Sequence, residues 1–129
     1  MNKSQTEWFK QAEYDMESAQ AMFAAGRYIY TIFLCHLAIE KALKGILAGQ
    51  GEQLPPKTHN LIYLVELCRL ALPEEISEPI FFLNRLSIPT RYPDDLEKLQ
   101  REFSRKRSVE LLQRSREVLK WLKEKSGKF

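Results

Sequence analysis

Three short stretches place polar side chains where folding alone favours none: Glu40-Lys41-Ala42-Leu43-Lys44 inside an apolar run, Thr58-His59-Asn60-Leu61 after a proline pair, and Arg91-Tyr92-Pro93-Asp94. Arg91 carries a planar fork that can grip a phosphate through two parallel hydrogen bonds. Tyr92 can stack or donate, Asp94 can accept, and Lys41 and Lys44 add positive charge, so these five are the candidate ligand-binding residues. His59 alone in the set exchanges a proton near neutral pH, which makes Arg91 and His59 the candidate catalytic pair. Asp15 and Glu40 are the candidate structural charge partners, because a carboxylate on a core-facing row needs a cation or donor to offset its desolvation. No Gly-rich phosphate loop, nucleophile elbow or helical His-Glu-x-x-His is present. Cys35 and His36 are adjacent and diverge by about 100° on a helix, and no Cys-x-x-Cys pair occurs, so neither a metal nor a cofactor is expected.

The elements that must hold these groups read as helices. Ser4-Gln5-Thr6-Glu7 fits a capping box, followed by an apolar row at Trp8, Ala12, Ala19, Met22 and Phe23, with Gly26 placed to end the helix in a left-handed turn. A second helix over about Tyr28 to Gln50 is apolar on nearly every side and therefore central; Glu40 and Lys44 share one face at i,i+4 spacing, a pair that solubility alone explains. Thr58 is positioned to cap a third helix with row Leu61, Leu64, Val65, Cys68 and Leu72, which puts His59 in its first turn and leaves Pro73 to stop it. A short fourth helix runs from about Glu74 or Pro79 to Leu86. The segment from Pro89 to Pro93 should be extended, since a residue before proline is pushed out of the helical region, and would mount Arg91 rigidly. Asp94-x-x-Glu97 can cap another turn or two. The last helix begins at Ser104 or Ser108 and runs to about Lys125, with Leu111, Leu112, Ser115, Val118, Leu119 and Leu122 inward. With no strand-like alternation, the expected fold is all-α, an up-and-down bundle of four to five helices in one domain over residues 1–129.

Composition agrees with a globular chain. Of 129 residues, 44% are hydrophobic and 29% charged, and only 5 Gly and 6 Pro occur. The polar start and the lack of any apolar run near the roughly 18 residues of a membrane span point to a cytoplasmic protein without a membrane partner. Cys35 and Cys68 sit among apolar neighbours, as buried free thiols do in a reducing compartment. The net charge of +3 is uneven, −3 over residues 1–100 and +6 over 101–129. Without interleaved aromatic residues, the basic end reads as the solvated face of a terminal helix rather than a strand-binding stripe.

Taken in order, Gly26-Arg27-Tyr28, Glu40-Lys41-Ala42-Leu43-Lys44, Pro56-x-Thr58-His59-Asn60-Leu61 and Arg91-Tyr92-Pro93-Asp94 before a last helix resemble the HEPN domain (higher eukaryotes and prokaryotes nucleotide-binding) over nearly the whole chain. The resemblance implies a four- to five-helix bundle that forms a homodimer, paired with a minimal nucleotidyltransferase as a toxin-antitoxin module and acting on a nucleotide or RNA. Many such domains are metal-independent ribonucleases with an arginine followed, after four to six residues, by a histidine. Counted from Arg91, those places hold Leu96, Glu97 and Lys98. The first expectation is therefore a module that binds a nucleotide or RNA phosphate. The alternatives are a metal-independent endoribonuclease toxin using Arg91 with His59, and a structural helical dimer in which Arg91 neutralises Asp15 or Glu40.

Overall fold

The computed structural model describes residues 2–51 and 54–127; of the loop expected over 51–57, positions 52 and 53 lie outside the described residues. Six α-helices are present among them and no strand: α1 (Lys3–Ala24), α2 (Tyr28–Gly49), α3 (Leu61–Cys68), α4 (Glu74–Arg91), α5 (Leu96–Glu102) and α6 (Arg105–Ser126). The four long helices α1, α2, α4 and α6 alternate in direction as an up-and-down bundle. α3 and α5, of 8 and 7 residues, are short connectors that bring the number above the expected four to five.

α2 is the central element, with 13 buried residues, and α1, α4 and α6 all pack against it. α1 and α2 form an antiparallel hairpin whose turn is made by Gly26 at φ +75, a left-handed conformation that suits a residue without Cβ. Two glycines of α2 let α1 approach closely: a Cβ on Gly45 would stand 2.9 Å from the Phe9 ring, and one on Gly49 would stand 2.5 Å from the Gln5 amide. All six positions of the inward row of α6 are buried as expected, and Ser104 is its cap, accepting from the Arg107 amide.

Several local expectations are corrected. Asn2, not Ser4, caps α1 through a 2.7 Å bond from the Gln5 amide, and Phe9 and Met16 join the buried row while Trp8 is only half-buried. Asn60, not Thr58, caps α3, so His59 lies in the loop before the helix. Pro73 does not end α3. The helix stops at Arg69 in the left-handed region at φ 55, where the Gln50 side chain takes up the free carbonyl of Cys68, and Pro73 instead precedes α4. Asp95 rather than Asp94 caps α5.

The largest correction concerns Arg91. α4 does not stop at Leu86 but continues through Pro89 to Arg91, and the expected extended mount is helical. Proline removes one ladder donor and disfavours helix before it. Packing of α4 on α2 outweighs this, and the Thr90 hydroxyl donates to the Leu86 carbonyl at 2.6 Å in the last turns. Tyr92, before Pro93, is where the chain leaves the helix, at φ −134 and ψ 72. Arg91 is thus the terminal residue of a helix.

Candidate functional site

Phe33, His36, Glu40 and Lys44 recur at three- and four-residue spacing on α2 and so form one stripe along it. That stripe faces the loop before α3 and the end of α4. Glu40 is at its centre, with a side chain only 5% exposed. The exposed solubility pair expected of Glu40 and Lys44 is therefore a buried one, with Nζ 3.2 Å from Oε2. Oε1 accepts from Nδ1 of His59 at 2.7 Å. Arg91 Nη2 lies farther off, at 3.9 Å from the same oxygen. A buried carboxylate costs free energy unless paired, and here cationic or donor groups from α2, the loop and α4 converge on one.

The His59 contact assigns a tautomer. An ionised carboxylate only accepts, so Nδ1 carries the proton that faces Glu40, and Nε2 is left as the working edge of a ring that is 60% exposed. The Arg91 Nη2 atom at 3.5 Å from Nδ1 is then a close approach rather than a hydrogen bond, since both atoms are donors. Arg91 lies instead over the Phe33 ring, with Cζ 4.5 Å from its centroid. Its side chain is 18% exposed, and Nε is buried without a hydrogen-bond partner. The guanidinium thus has donors to spare, and it lines a cavity of 470 Å³ together with Arg27, Tyr28, Tyr30, Gln100 and Phe103.

His36 was not among the candidate residues, although its place four residues before Glu40 was the signal. It is 1% exposed, and Nε2 donates to the His59 carbonyl at 3.0 Å. Burial, opposed by Glu40 and assisted by Arg91, lowers its pKa from 6.5 to about 4, so the ring is neutral at physiological pH. Phe33 was likewise missed, because an aromatic residue in an apolar helix reads as core.

The other candidates separate. Asp15 finds the partner its position demanded in Lys41, at 2.8 Å, and not in Arg91. Lys44 lies near the Trp8 ring, 5.9 Å from its centroid, as well as on Glu40. Neither lysine lines the cavity, as both are drawn into internal ion pairs. Tyr92 and Asp94 are exposed, and Pro93 between them is part of the cavity wall. Cys35 and Cys68 are buried free thiols, each pushed up to about 12 by burial. Among the described residues no three His, Cys, Asp or Glu side chains converge as metal ligands, and no helix is long and apolar enough to cross a membrane.

The family model for the HEPN domain matches residues 5–125. The chain belongs to the HEPN family. Two solved structures are similar to it almost end to end. One is the crystal structure of ST0689, an archaeal HEPN homologue, with 28% identity over 97% of this chain and 99% of that one and a TM-score of 0.77. The other is TT1696 from Thermus thermophilus, at 30% identity, the same 97% and 99% coverage and a TM-score of 0.82. No curated protein matches. Within this HEPN chain, the cluster at Glu40 joins the second and third sequence stretches singled out above to the first.

Proposed function

We propose that this HEPN protein, acting as a single domain, binds the phosphate of a nucleotide or RNA at Arg91, with Tyr92 and Asp94 at the rim and His59 beside the phosphate. It would do so as a homodimer in the cytoplasm, in partnership with a minimal nucleotidyltransferase in a toxin-antitoxin type module. The observation that carries the reading is the Arg91 guanidinium: placed over the Phe33 ring, with Nε unpartnered, at the wall of a 470 Å³ cavity. A planar fork with free donors in a partly desolvated setting suits a phosphate. Calorimetric titration with AMP, ATP and short RNA tests it. Binding that Arg91→Ala removes supports the reading, and absence of binding by the native protein refutes it.

A second reading, metal-independent cleavage of RNA, is favoured by the Glu40–His59 contact. The imidazole missing from positions 96 to 98 has a counterpart in His59, whose Nε2 could take the proton of an attacking 2′-hydroxyl while Arg91 stabilises the phosphorane. Such cleavage should persist in EDTA and disappear in Arg91→Ala and His59→Ala; RNA left intact by the native protein refutes it. A purely structural role for Arg91 is less well supported, because Lys44 and His59 already face Glu40 at shorter range.

A further inference from the structure

We propose that His36 is a positioning residue for the candidate site: its buried imidazole latches the backbone at His59, so that the His59 ring meets Glu40 through Nδ1, beside Arg91, and leaves its Nε2 edge free. The inference rests on the phosphate-handling reading of that site and deepens it, by naming what holds the one proton-exchanging group in place.

His59 lies in a loop, and a loop alone does not orient a ring. Within residues 54–60 the bonds are local: the Thr58 amide donates to the Pro56 carbonyl at 2.9 Å, and the Asn60 amide to the Thr58 hydroxyl at 3.1 Å. Among the described residues, two bonds join this loop to α2, and both run through His59. His36 Nε2 holds its carbonyl at 3.0 Å, and Glu40 Oε1 holds its ring at 2.7 Å. His36 and Glu40 are four residues apart on one helix face, so the separation of the two anchors is set by the rigid pitch of α2. One anchor fixes where the residue is, and the other fixes which way its ring points.

Packing by itself does not account for His36. The ring is 1% exposed and its Nδ1 is buried with no hydrogen bond, 3.9 Å from Glu40 Oε1. A leucine would fill the space without bringing an unpaired ring nitrogen into the core. The donor at Nε2 is the property an apolar side chain lacks, and it is spent on the backbone of the residue beside Arg91. The Lys44 ammonium complements the mount by occupying the second carboxylate oxygen, which leaves Oε1 for His59.

The test compares the ligand-free native protein with His36→Gln, whose amide nitrogen can stand where the imidazole Nε2 stands, and with His36→Leu, which removes the donor. Long-range proton–nitrogen NMR reads the tautomer of His59, and calorimetry with AMP reads affinity. The native protein and His36→Gln should show His59 protonated at Nδ1. His36→Leu should shift it toward the Nε2-protonated form that a free imidazole prefers and weaken AMP binding by about 2- to 10-fold, the worth of one net hydrogen bond. His36→Asn, polar but too short to reach the carbonyl, takes the place of His36→Leu if the latter does not fold. An unchanged tautomer in the donor-less variant, or a native His59 protonated at Nε2, overturns the proposal. If AMP binds none of the proteins, the phosphate reading fails while the tautomer contrast still decides the role of His36.

Discussion

His36 makes the stability of this protein depend on pH in a way that can be worked out. In the fold its pKa is lowered from 6.5 to about 4, chiefly by burial, with Glu40 acting in the opposite direction and Arg91 and His59 adding smaller effects. The unfolded chain therefore takes up a proton near pH 6.5 that the native state refuses until about pH 4. The unfolded state binds more protons across that window, so the contribution is fully present above the unfolded value and is lost as pH falls. At about 1.4 kcal/mol per pH unit, a wild-type protein taken from pH ~7.5 to pH ~5 should lose about 2 kcal/mol from this group alone. His36→Gln carries no titrating ring at that place and is spared the loss. Urea unfolding followed by circular dichroism, on both proteins at both pH values, isolates the effect because every other titration is shared. The stability difference between them should move by about 2 kcal/mol in favour of the variant on acidification. Parallel changes in the two proteins would refute the reasoning.

Other consequences follow from particular contacts. Lys41→Ala strands Asp15, which is 10% exposed, and should cost about 3 kcal/mol in chemical unfolding, whereas the double change with Asp15→Asn should recover part of that. Gly45→Val drives a branched side chain into the Phe9 ring, where even a Cβ stands at 2.9 Å, and should lower stability by about 2 to 3 kcal/mol in the same assay. Cys35 and Cys68, buried and with thiols pushed up to about 12, should resist a disulfide reagent at mildly alkaline pH in the native protein and react promptly in urea.

Much of the fold is legible locally. The inward row of α6, the Ser104 cap, the all-round apolarity of α2 and the left-handed turn at Gly26 all rest on contacts within a turn or so of chain, which residue types and spacing report directly. Boundaries were harder where two caps competed, as Thr58 did with Asn60, because both side chains make a local bond and only the path of the chain into α3 decides which one is the cap. Pro89 misled for a different reason: its intrinsic penalty against helix is real, but burial of α4 on α2 exceeds it, and burial is not a local property.

The candidate site divides in the same way. Sequence alone determined which residues bear chemistry, that Glu40 and Lys44 share a helix face, and that Asp15 needs a partner. It could not determine that Glu40 is buried, that His59 crosses 19 residues to reach it, or that Arg91 comes within 3.5 Å of a ring 32 residues earlier. Those meetings exist because the loop before α3 and the last turn of α4 are both packed on one stripe of α2. Such long-range placement is set by how helices bury their apolar faces together, and no local pattern encodes it.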